Sequence, residues 1–288
     1  MNKKAFDRIF IIIFENEHRS TVLANDYMRD LAARGVNLSN YFGVAHPSQP
    51  NYIASIAGLP LVKDDTCPTN LPDTNIVDLL EAKGVSWKAY MEDLPVGNKP
   101  KVDKAVCKSK DGLYFRKHNP FVSFNNIRNN PERLAKIVNA EQLEIDVEND
   151  ALPQYSWYTP NIQNDGHSIP DDFQKNHPER NVNFLANFLK GFLEPLLNNP
   201  NFTKGTLVAI IFDESFQSHD NNVYAALLGD MVEPNTVQSE HYTHFSLLRT
   251  VEENFNLGTL NRMDLTARWF RFLWNLEPLM DKWENHVQ

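Results

Sequence analysis

The sequence predicts an α/β protein, a three-layer sandwich with a largely parallel central sheet flanked by helices. Two observations carry the prediction. Segments of strand character alternate with segments of helical character along the whole chain, the order that builds a parallel sheet covered on both faces. Two of the strands, "RIFIIIF" and "TLVAIIF", are almost uninterrupted apolar runs, as expected of strands buried on both sides. The 288 residues suit one domain spanning 1–288, long enough to bury a sizeable core.

Residues 8–14 form the first strand. Helical periodicity follows over 21–34 and stops at Gly35. "HPSQPNYIASIAG" (46–58) is a loop running into a helix, with Pro50 in the first turn, where a proline costs little. Ile76, Leu79 and Leu80 are spaced for a helix over 75–83, ended by Gly84, and 85–92 is a strand. The polar, basic stretch 95–120 is a loop-rich surface excursion. A short helix over 131–140, an aromatic strand over 154–160 and a long amphipathic helix over 181–197 follow. Residues 206–214 are the second buried strand and "NVYAALLG" (222–229) a third. Helices over 241–255 and 264–274 close the chain.

Composition narrows the function. A formal net charge of −9 disfavours nucleic acid as a partner, since phosphate-backbone binding needs a basic surface. No apolar run approaches the roughly 18 residues of a membrane span, so no transmembrane segment is expected. The start, "MNKKAF", has two lysines, but its apolar run is short and no small-residue cleavage site follows, so no signal peptide is read. Cys67 and Cys107 are either one disulfide or two free thiols; neither fits a zinc spacing.

The chemistry concentrates where strands end. The first buried strand exits into Glu15-Asn16 and the second into Asp213-Glu214. In a parallel sheet both exits lie on one rim, where α/β folds bind ligands. Three carboxylates gathered there repel one another, and a divalent cation removes that cost; oxygen donors favour Ca²⁺, Mg²⁺ or Mn²⁺, with Zn²⁺ still possible. Taken singly, each acidic pair also reads as an ordinary strand-end turn. Ser48 opens a helix, where free backbone N–H groups favour an anion; it is either a nucleophile or a cap. "TPNIQNDGHS" brings Asn161, Asn164, Asp165 and His167 together after a strand, and Asn-Asp-Gly by itself is turn chemistry. Arg116, Lys117 and His118 form a basic run that is an anion site or a solvated loop. Asn51, Asn164 and Asp165 are taken as substrate-binding candidates. His241 and His244 share a helix face at i, i+3, more often a packing arrangement than a metal pair. His18 and His46 are expected to make supporting polar contacts, and His177 and His286 to lie on the surface.

In sequence order, "FEN", "HPSQPNYIAS", "DLLEAKGVSWKAYMED", "RKHNPF", "TPNIQNDGH", "IIFDE" and "HYTHFSLLRTVEENFNLG" resemble the phosphoesterase family that contains bacterial phospholipases C and acid phosphatases, within the alkaline-phosphatase-like superfamily. The resemblance covers nearly the whole chain. It implies an alkaline-phosphatase-like fold and a single metal held by Glu15, Asn16, Ser48, Asp213 and Glu214. Ser48 is then the nucleophile that carries the phosphoryl group, and His118 and His167 lie near the phosphate. Lys117, in the same basic run, is expected to steady the phosphoryl oxygens electrostatically. Ser48-Gln49-Pro50 also resembles the start of the sulfatase motif, but Tyr52 stands where that motif needs arginine. The run Glu17-His18-Arg19-Ser20 departs from the Arg-Ser-Phe-Asp of many relatives, and the loop after Glu214, with His219, varies among them. The cysteines sit where some secreted relatives hold a disulfide, which tilts the expected location toward export. The expected activity is phosphate monoester hydrolysis on a small phosphorylated substrate. The alternatives are phospholipase C action on a phospholipid head group and, in another class, a phosphate- or phospholipid-binding module with weak turnover.

Overall fold

The computed structural model describes residues 3–95, 105–168, 178–216 and 220–274. In chain order the first elements are β1 (Arg8–Phe14), α1 (Arg19–Ala24), α2 (Asp26–Ala33), β2 (Val36–Leu38), β3 (Tyr41–Phe42), α3 (Ser48–Ala57), α4 (Ile76–Ala82) and β4 (Trp87–Met91). Next come α5 (Asn125–Arg128), α6 (Pro131–Leu134), β5 (Ile137–Asn139), α7 (Gln142–Glu148), β6 (Tyr155–Thr159), α8 (Pro178–Leu197) and α9 (Pro200–Thr203). The remainder is β7 (Thr206–Phe212), β8 (Ala225–Leu228), β9 (Thr236–Gln238), β10 (Tyr242–Thr243) and α10 (His244–Phe255). Eight strands form the central sheet in the order β5-β4-β6-β1-β7-β8-β2-β9, parallel except where β8 pairs with β7 and β2. Helices pack on the sheet, as the alternation of elements predicts.

The centre of the sheet sets the site. β1 lies between β6 and β7, and every residue from Arg8 to Phe14 is in register with one from Thr206 to Phe212. Their apolar side chains are buried on both faces, so a one-residue slip would misplace the whole set. The register therefore delivers Glu15 and Asp213 to the same rim at the same level, and the Asp213 N–H donates to the Phe14 carbonyl at 2.9 Å.

Several boundaries differ from expectation. The 21–34 helix is two helices, because Asn25 takes an extended conformation (ψ 129°) and its side chain accepts from the Met28 N–H, capping α2. The 131–140 segment is helical only through α6; Ile137 and Val138 then join β4 as β5, where β-branched side chains pack well. The 264–274 helix is replaced by two 3₁₀ turns, Met263–Leu265 and Arg271–Trp274. Helix α10 begins at His244, so His241 lies ahead of it, its ring against Phe42 at 4.9 Å. The histidines are therefore not a helix-face pair. Of the 95–120 excursion, 105–120 is described. It is clipped down by a Cys67–Cys107 disulfide with a Cα–Cα distance of 5.9 Å and by Arg116, whose guanidinium donates to the Thr69 carbonyl at 2.5 Å. His177, His219 and His286 lie outside the described residues.

Helix α3 ends at Gly58, which has φ +70°. A Cβ there would also lie 2.6 Å from Asp264 Oδ1, so both backbone conformation and space require glycine. Beside Asp264, buried Glu252 is pushed up to about 9 by burial and then by the Asp264 charge, from an ordinary value of 4.5. The fold accommodates its neutral form. The stabilisation is complete below the ordinary value and is lost as pH rises through about 9. Glu252→Gln should flatten this fall, stabilising the protein at pH 9 by on the order of a few kcal/mol. Denaturant unfolding at pH 5 and pH 9 checks it; a variant with the wild-type pH slope would show that Glu252 does not set it.

Candidate active site

Helix α3 presents Ser48 at its first position, with Pro50 inside the first turn. Asn51 holds the approach to it. Its Oδ1 accepts from the Val44 and Ala45 N–H groups at 2.8 and 3.0 Å, and its amide donates to the Ala45 and Pro47 carbonyls. That shapes the loop before Ser48 and leaves Asn51 engaged by backbone rather than presented to a substrate.

Ser48 is buried, and its hydroxyl meets two carboxylates, Glu15 Oε2 at 2.8 Å and Glu214 Oε1 at 3.0 Å. Asp213 is buried beside them. Its Oδ1 accepts from the Glu214 N–H at 2.7 Å, and its Oδ2 has no hydrogen-bond partner. Burial, then the charges of Glu15 and Glu214, push the Asp213 carboxyl well above its ordinary range. Burial and Glu15 raise Glu214 to about 8. For Glu15 burial acts the same way, but the nearby positive charge of His118 wins and holds it well below its ordinary value. Asn16 follows Glu15 directly and is half-buried.

The histidines approach from two other segments. His118 is buried, with Nε2 2.9 Å from Glu15 Oε1 and Nδ1 3.4 Å from Asp165 Oδ2. Burial opposes its charge, but Glu15 and Asp165 outweigh it and raise His118 to about 9, so it is an imidazolium. His167 Nδ1 lies 3.4 Å from Glu15 Oε2, and the His167 N–H donates to Asp165 Oδ1 at 2.8 Å. The Glu15 N–H donates to the Asp165 carbonyl at 2.9 Å, tying this loop to the end of β1. Asp165 thus orients the histidines, and Asn164 turns away to donate to Glu92 at 2.8 Å. Lys117 is paired with Asp65 at 2.8 Å and, despite burial, is kept charged by Glu15, Asp65 and Asp213. Arg116 points elsewhere, into the contacts that pin its own loop.

Glu15, Ser48, Lys117, His118, Asp165, His167, Asp213 and Glu214 therefore converge, while Asn51 and Asn164 serve neighbouring loops. Sequence reasoning missed Tyr52 and Asp65. Tyr52 lies one helical turn after Ser48, on the same face, and is fully buried. Its ring stacks on His118 with centroids 5.1 Å apart and planes at 17°. Burial, then the charges of Glu15, Asp213 and Asp165, raise its phenol so far that it remains a neutral donor. The i, i+4 spacing from Ser48 was the available signal. His46 supports the site as expected, through Nδ1 against Glu214 Oε2, and His244 holds the Asp213 carbonyl through Nε2 at 2.6 Å. Burial lowers His244 to about 4, so this contact is made by a neutral ring. Glu17 is buried rather than solvated, and burial raises it to about 8.

The residues fit a hard divalent cation. The buried Asp213 Oδ2 lacks a hydrogen-bond partner, and the acidic groups strongly perturb one another. Glu15 and Asp165 also lie close together, with the His118 imidazolium facing both as a counter-ion rather than as a metal ligand.

Residues 23–258 match the phosphoesterase family. The chain belongs to that family. It is 38% identical over 266 residues to a probable acid phosphatase of Kluyveromyces lactis, covering 90% of this chain and 61% of that protein. The chain thus spans about three fifths of that relative's length. It is 28% identical to the phosphatidylinositol-3-phosphatase of Mycobacterium tuberculosis, covering 96% of this chain and 83% of that one. Its fold is that of an alkaline phosphatase superfamily protein from Vibrio parahaemolyticus, with a TM-score of 0.63 at 10% identity, covering 94% of this chain and 73% of the other. Among the described residues no helix is long and apolar enough to cross a membrane.

Proposed function

We propose that the chain is a metal-dependent phosphomonoesterase working through a phosphoserine on Ser48. The observation that carries this reading is the Ser48 hydroxyl held between the Glu15 and Glu214 carboxylates at the start of a helix. A divalent cation held by Glu15, Asp213 and Glu214, with Asn16 and Ser48 as further oxygen donors, would supply positive charge against the phosphate and lower the serine pKa. Ser48 Oγ attacks phosphorus in line, passing its proton to an adjacent carboxylate, and the P–O bond to the leaving alcohol breaks. His167 or His118 protonates that oxygen. Water then attacks the phosphoserine, phosphate departs and the Ser48 oxygen recovers a proton. Lys117, fixed by Asp65, faces the negative charge of the phosphoryl oxygens throughout. The oxidising compartment suggested by the disulfide agrees with an exported enzyme.

The names acid phosphatase and phosphatidylinositol-3-phosphatase support monoester cleavage over the diester cleavage of a phospholipase C. Soluble nitrophenyl phosphate and a nitrophenyl phosphorylcholine, assayed side by side, separate the two. Faster turnover of the monoester is expected. Turnover of the diester alone would sink the monoesterase reading, and turnover of neither would favour a binding module.

A further inference from the structure

A second concavity, about 570 Å³, lies on the carboxyl side of β5, β4 and β6. Its volume is that of a small-molecule site, and the rim is where open α/β sheets place ligands. The floor is apolar: Leu143 and Val147 from α7, Tyr158 from β6, and Phe192 and Leu196 from α8. Tyr158 and Phe192 lie with ring centroids 4.5 Å apart, forming an aromatic wall. The rim is anionic. Glu141, just ahead of α7, and Glu144 and Glu148 within it are spaced three and four residues apart and line the groove. Glu92 and Asp93, just after β4, line it as well. Among the described residues that line it there is no lysine, arginine or histidine.

An apolar floor with a single-sign rim selects a ligand of matching shape and opposite charge. We infer that this groove binds a small organic cation, an amine with an apolar body that lies on the aromatic wall while its ammonium group meets the rim carboxylates. The groove also touches the catalytic loop. Glu92 accepts from the Asn161 N–H and the Asn164 amide, both at 2.8 Å, and that loop continues to Asp165 and His167. The inference does not depend on Ser48 chemistry.

The test is calorimetric titration of the full chain with phenethylammonium, phenethyl alcohol and methylammonium. Phenethylammonium should bind, with each of the other two at least about tenfold weaker. Glu144→Gln/Glu148→Gln, exposed positions outside the catalytic cluster, should weaken phenethylammonium about tenfold and leave nitrophenyl phosphate turnover unchanged. No binding of phenethylammonium, equal binding of the alcohol, or undiminished binding to the double variant would each overturn the proposal.

Discussion

Ser48→Ala is expected to lower kcat by about 10⁴-fold or more while the protein stays folded. The hydroxyl sits between Glu15 and Glu214, and among the described residues no other serine or threonine hydroxyl hydrogen-bonds those two carboxylates. Removing it deletes the attacking atom, which positioning and electrostatics do not replace. The backbone that carries it is independent of the hydroxyl: Asn51 shapes the preceding loop and Pro50 sits inside the first turn. Thermal unfolding of the variant should therefore stay close to wild type. The same variant tests the covalent step. Wild type quenched during turnover should gain the mass of one phosphoryl group on the peptide holding Ser48, and the alanine protein should not. Turnover at the wild-type rate would remove Ser48 as nucleophile.

Asp213→Asn should abolish tight metal binding and reduce turnover by roughly 10²-fold or more. Asparagine retains an oxygen for the Glu214 N–H, so the turn after β7 has its hydrogen bond, but the charge is gone. The stability effect should reverse sign with metal. In stripped wild type, burial and then the charges of Glu15 and Glu214 raise the Asp213 carboxyl well above its ordinary range. A raised carboxyl stabilises the fold below its unfolded pKa, and that stabilisation is lost as pH rises through the folded value. At pH 8, stripped Asp213→Asn should thus melt at or above stripped wild type, whereas metal-loaded wild type should melt above both. Elemental analysis and paired melting curves, with and without chelator, decide it. Unchanged metal content in the variant would count against Asp213 as a ligand.

The main landmarks of the site were legible because they stand at the ends of strong local signals. "FIIIFEN" and "VAIIFDE" are buried strands with polar exits, and both exits meet at Ser48. Residues that depend on long-range contact were less legible. Arg116, Lys117 and His118 are adjacent in sequence, yet His118 pairs with Glu15, Lys117 with Asp65, and the arginine with Thr69 and Asn70. Asn51 and Asn164 are chemically suited to a substrate, but backbone groups and Glu92 occupy their amides. Tyr52 carried little signal, since its role lies in a stack on His118, 66 positions later in the chain.

By itself, the sequence determined the α/β class, the two central strands with their acidic exits and the serine at the head of a helix, because period, apolar run length and proline position are local properties. Tertiary structure alone decided which polar groups face one another. Parallel register placed Glu15 level with Asp213, the disulfide and Arg116 pinned the segment bearing His118, and Asp165 turned that imidazole toward Glu15. Those outcomes depend on distances between segments far apart in the chain, and burial together with the neighbouring charges then set the charge each group carries.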